Sequence, residues 1–185
     1  GATRVLAGAG LSELDRVRLH LQRSNVCLTL GDYAGAITDI QRVIAFAPKD
    51  ADFRVMLARA LWFAGREADC TTELEKARKF EPKNRNVILL TALLAFARED
   101  WRTAATEFGK HWTTAPKGTT ETYSAFYTHL AHSRLSGPES AAATAPLRFA
   151  SDEPMWPFPI TEMLLGRTSP AALDEIAVHP DPMRQ

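Results

Sequence analysis

The chain has 185 residues, of which 45% are hydrophobic and 24% charged, the proportions of an ordinary globular domain. Its 22 basic side chains balance 22 acidic ones. Zero net charge argues against the basic surplus a nucleic-acid binder needs and against a polybasic membrane-surface segment. No apolar run approaches the length of a membrane span, and two cysteines are too few for a disulfide framework.

In chain order, Gly1-Ala2-Thr3-Arg4 carries no hydrophobic signal region, which leaves the compartment open. Ser12, with Asp15 three residues on, is a helix-start signature, so residues 1–16 hold an N-terminal extension of a helix beginning near Glu13. That helix runs through Val17–Leu30. Gly31-Asp32 supplies a tight turn, and Tyr33–Ala47 predicts a second helix, stopped by Pro48. The same order then recurs. Pro48, Pro82 and Pro116 are spaced by 34 residues, and each precedes a lysine. Small residues recur where paired helices must approach closely: Ser24, Ala58 and Ala92 on the first helices, and Ala36, Cys70 and Ala104 on the second. Ile40, Leu74 and Phe108 share another position. Three units are predicted, 17–50, 51–84 and 85–118.

The stretch 30–37 (LGDYAGAI) followed by 45–48 (AFAP) resembles the consensus of the tetratricopeptide repeat, a helix-turn-helix unit of 34 residues, and the resemblance covers 17–118. It implies an all-α fold, a right-handed superhelix of antiparallel helical hairpins with three repeat units plus flanking helices. Departures from the family pattern are His20, Arg54 and Ile88 where an aromatic is usual, Glu99 at the turn glycine, and His111 where Val43 and Ala77 stand.

Beyond the repeats, Thr119–Ser136 predicts another helix, Gly137-Pro138 a break, and Glu139–Ala145 a short helix disturbed by Pro146, so that 119–150 forms a divergent fourth pair. Residues 151–185 form a Pro-rich segment with short helices predicted at Ile160–Leu165 and from Ser169-Pro170 onward. The segment 156–182 is similar to one found in bacterial tetratricopeptide proteins related to outer-membrane lipoprotein scaffolds. It implies an envelope, periplasmic-side setting rather than the cytoplasm, and a chain that is a fragment of a longer one. Residues 1–118 carry 18 basic and 14 acidic side chains, and 119–185 carry 4 and 8, which suggests a tail attracted to the array.

Sites of chemistry are scarce. There is no glycine-rich phosphate loop, no nucleophile elbow and no paired-cysteine metal motif. His129 and His132 share a helix face but lack a third ligand nearby, so no metal and no cofactor are expected. Cys27 and Cys70 occupy unlike repeat positions and read as unbridged core residues. Asp69, Glu73, Glu75 and Lys76 read as a solvated face. The chain therefore reads as non-enzymatic.

The family geometry implies an inner face lined by the first helix of each unit. Its partner-binding residues would be Arg18, Asn25, Leu28, Arg59, Trp62, Phe63, Asn86, Leu89, Leu93 and Phe96, with Tyr127 continuing the row. The positions that grip a peptide carboxylate in some family members read Leu21, Asn25, Met56, Asn86 and Leu90 here, which argues against that clamp. The expected partner is a peptide or helix of another protein, with no nucleic acid and no membrane insertion. Two alternatives are a homodimer formed through the same apolar face and a cytosolic chaperone for a secreted apolar client.

Overall fold

A computed structural model describes residues 10–114, 119–138, 140–150 and 164. The helices predicted within 151–185, and the similarity over 156–182, lie outside the described residues apart from Leu164. Among the described residues there are eight helices and no strand: α1 (Glu13–Thr29), α2 (Tyr33–Phe46), α3 (Ala51–Phe63), α4 (Glu67–Phe80), α5 (Arg85–Ala97), α6 (Trp101–Thr114), α7 (Thr119–Ser136) and α8 (Ala141–Ala150). The chain divides within α5 into two compact units, Gly1–Leu90 and Thr91–Gln185.

In the first unit, α1 packs on α2, α2 on α3, and α3 on α4. The small residues explain how these helices come so close. Ser24, Ala36, Ala58 and Cys70 are all fully buried, so no long side chain holds the backbones apart. In the second unit, Ala92 and Ala104 are equally buried, α6 packs on α7, and α7 on α8. Ile40, Leu74 and Phe108, equivalent by the 34-residue spacing, are buried in their respective units.

Helix starts follow the sequence. Ser12 Oγ accepts the Asp15 amide at 3.1 Å, Asp32 accepts Gly35 at 2.9 Å, Asp50 accepts Phe53 at 3.1 Å, and Asp100 accepts Thr103 at 3.1 Å. Arg66 breaks the series and offers no side-chain cap.

Helix ends are more informative. After α1, the Asp32 amide donates to the Cys27 carbonyl (2.8 Å) and the Gly31 amide to Leu28 (3.2 Å). The same two bonds recur as Arg66 to Leu61 and Gly65 to Trp62, and again as Asp100 to Ala95 and Glu99 to Phe96. This cap needs a left-handed residue. Gly31 and Gly65 supply it with φ of 77° and 72°, and Glu99 is forced into it with φ of 59°. A Cβ at Gly31 or Gly65 would meet nothing within 4 Å, so Glu99 differs from them by backbone strain rather than crowding. That strain costs roughly 1–2 kcal/mol, and glycine's extra freedom in the unfolded chain returns about half of any gain. Glu99→Gly should therefore raise stability by about 0.5–1 kcal/mol in urea titration. An unchanged or lower midpoint would show that the Glu99 side chain compensates its own strain.

One expectation is corrected. Pro146 does not end a short helix, because α8 runs from Ala141 to Ala150 with Pro146 inside it. A mid-helix proline forfeits one backbone bond and crowds the preceding turn. Here Pro146 is buried beside the fully buried Ala143 and Leu147, and this apolar face packs on α7, which offsets the loss.

Candidate partner-binding face

Each hairpin carries a carboxylate at the same repeat position: Asp39, Glu73 and Glu107. Each is mostly buried, with side-chain exposures of 0%, 14% and 8%. A buried charge needs a partner. Asp39 on α2 accepts the His20 Nδ1–H at 2.7 Å and a two-pronged contact from Arg23, both on α1. Glu73 on α4 accepts from Arg54 of α3 at 2.8 Å and from Lys76 at 2.6 Å. Glu107 on α6 accepts from Lys110 at 2.8 Å. His20 and Arg54 stand where the family pattern has an aromatic, so this departure is the source of the pairing. Glu73 is accordingly not part of a solvated face. Burial alone would push the Asp39 carboxyl up. Hydrogen bonds from Arg23 and His20 outweigh it and hold the group below the ordinary carboxylate value.

The predicted face falls partly in each unit. In the first, Arg18, Asn25, Arg59 and Asn86 are exposed, and Leu28, Trp62 and Leu89 are half-buried. Phe63 is 52% exposed although it is a large apolar ring. It stacks on Trp62 (centroids 5.8 Å, interplanar 12°) and on Tyr33 at the start of α2 (5.9 Å, 24°). The three rings make one aromatic ledge at the turn end of the unit. Tyr33 was not among the predicted face residues, because its contact with Phe63 spans 30 positions of chain. Asn86 is already engaged: its amide donates to Asp52 at 2.9 Å, and Asn84 donates to the same oxygen at 3.0 Å. Arg18 reaches Asp15 only at 4.0 Å.

In the second unit, Leu93, Phe96 and Tyr127 are half-buried. Phe96 meets Tyr127 at 5.3 Å, Trp101 at 5.1 Å and Phe108 at 6.2 Å, edge to face. Tyr127 also stacks on Phe108 at 4.9 Å, and Arg134 covers Trp101 at 5.7 Å. Phe96 and Tyr127 thus belong largely to the packing of this unit.

Two buried histidines serve the fold. His111 is buried and bonds the Ser124 hydroxyl through Nδ1 at 2.7 Å, which lets it replace an apolar residue. His129 is buried and donates from Nδ1 to the Ala143 carbonyl at 3.0 Å. No group of three potential metal ligands occurs among the described residues. Cys27 and Cys70 are free thiols, and burial together with Asp32 pushes the Cys27 thiol up. No helix among the described residues is long and apolar enough to cross a membrane.

Packed helical hairpins with a repeated turn and small residues buried at the same repeat positions define a helical repeat fold. Residues 28–94 match the family model of the tetratricopeptide repeat, so this stretch of the chain carries tetratricopeptide repeats. Repeats of this family are in general non-enzymatic modules for protein interaction. No curated protein sequence matches the chain. Among solved structures it is similar to PilF of Pseudomonas aeruginosa, with 15% identity and a TM-score of 0.64. That match covers 75% of this chain, which spans only 61% of the PilF structure. It is also similar to MamA (12% identity, TM-score 0.61, 92% of this chain and 99% of that one) and to a MamA mutant (17%, 0.60, 84% and 91%). At such identities the likeness is one of fold.

Proposed function

We propose that this chain is a non-catalytic scaffold that binds a peptide or helix of a partner protein along the open side of its first helices. In the first unit the face is Arg18, Asn25, Leu28, Arg59, Trp62, Phe63, Asn86 and Leu89; the second unit, taken by itself, offers Leu93, with Phe96 and Tyr127 largely engaged in its packing. The observation that carries this reading is the Tyr33–Phe63–Trp62 ledge. Its central ring is half exposed although neighbouring rings hold it in place. Rigid aromatic side chains lose little entropy on binding and dominate interface energetics.

Panning a displayed random-peptide library on the full chain tests it. Binders should be recovered, and Trp62→Ala/Phe63→Ala should weaken them by about tenfold or more, with helicity by circular dichroism unchanged. Recovery of no binders, or binders indifferent to the double substitution, overturns the reading.

A further inference from the structure

The charges around the aromatic ledge point to the kind of partner it fits. Arg59 lies three and four residues before Trp62 and Phe63 on α3, a spacing that puts all three on neighbouring positions of one helix surface. Helix α3 carries three charged side chains. Asp52 is held by Asn84 and Asn86, and Arg54 by Glu73 and the Pro48 carbonyl. Arg59 is exposed and has no ion pair among the described residues. The acids on the neighbouring elements have other work. Asp32 caps α2, Asp69 pairs with Arg66 at 2.7 Å, and Glu67 lies in the first turn of α4, where the helix's positive end favours it. The uncommitted charge beside the ledge on α3 is thus positive, and it is a guanidinium, which matches a carboxylate in a two-pronged contact.

We infer that the ledge takes an acidic peptide, in which an aromatic or large aliphatic side chain lies against Phe63 and an adjacent carboxylate meets Arg59. This rests on the scaffold reading above and adds the partner's chemistry to it. Aromatic rings beside a cation can also stack nucleic-acid bases, but a strand needs a track of cations along its phosphates. Here the face adds one further cation, Arg18, set 4.0 Å from Asp15, and its other positions include the half-buried, apolar Leu28, Val55 and Leu89 and the acid Asp52. That lining suits a peptide.

Fluorescence anisotropy on the full chain separates these cases with three labelled probes. One is a nine-residue peptide with a single phenylalanine flanked by two aspartates, the second has lysines in place of the aspartates, and the third is a nine-nucleotide thymidine strand. The acidic peptide should bind about tenfold more tightly than the basic one and weaken with added salt. Arg59→Glu should abolish or reverse the preference, and Arg59→Lys should reduce it without reversal. Phe63→Ala should weaken both peptides.

Equal binding of the two peptides, indifference to Arg59→Glu, or tighter binding of the thymidine strand overturns the inference. If the peptides bind alike and Phe63→Ala releases both, the charge assignment falls while the scaffold reading stands. If neither peptide binds, the inference fails. The library panning then decides the scaffold reading separately.

Discussion

Asp39→Ala should destabilise the chain by about 3 kcal/mol, toward the lower end of what breaking a buried pair costs. Asp39 is completely buried and is the shared acceptor for His20 and Arg23. Removing it leaves two donors on α1 facing a cavity. Arg23, whose side chain is 24% exposed, can regain some water, which keeps the loss from being larger. The effect should depend on pH with a definite sign. The folded carboxyl is held below its ordinary value. Its stabilising contribution is therefore complete above the unfolded-state value of about 3.9 and is lost as pH falls through the lower, folded one. Urea titrations of wild type and Asp39→Asn at pH 7 and pH 3 should show the gap between them narrowing in acid. A gap that stays constant or widens would mean that Asp39 acts through shape and not through charge.

Phe108→Ala should cost about 4 kcal/mol, since a fully buried phenylalanine loses both its transfer energy and its packing. The ring is fully buried, stacked on Tyr127 and edge-on to Phe96. Its removal opens a void at the centre of an aromatic cluster that also includes Trp101. Phe108→Leu should cost much less, about 1.5 kcal/mol, because the equivalent positions Ile40 and Leu74 show that the repeat accepts an aliphatic side chain there. Chemical denaturation followed by tryptophan fluorescence and by circular dichroism measures both. Equal losses for alanine and leucine would show that the aromatic geometry, not the volume, is what matters.

The hairpins were legible because their determinants are local and repeated. Prolines, turn residues and small residues recur at one spacing, and each has a mechanical meaning that needs no knowledge of the rest of the chain. Glu99 shows how strongly the context acts: a residue unsuited to the left-handed turn adopts it because the flanking helices leave no alternative. Pro146 shows the reverse, since the local rule for proline yields to burial against α7.

The buried acids were less legible. Asp39, Glu73 and Glu107 also recur every 34 residues, but carboxylates on helices usually face water. Their partners change identity from unit to unit, so no motif announces them. The proposed face could be written from the sequence as a set of positions, but which of its rings stay exposed could not. Phe96 and Tyr127 look like Phe63 in the sequence. Only their neighbours Trp101 and Phe108 turn them inward, whereas position 67, equivalent to Trp101, is a glutamate.

The two native thiols have a practical consequence. Cys70 is wholly enclosed, and the thiolate of Cys27 is disfavoured at neutral pH. Both should react more slowly with electrophiles than an exposed, unperturbed thiol. A single cysteine introduced on an exposed connection, such as Lys49→Cys between α2 and α3, would therefore be the first to accept a maleimide dye, leaving a wild-type background suited to distance measurements on a bound partner.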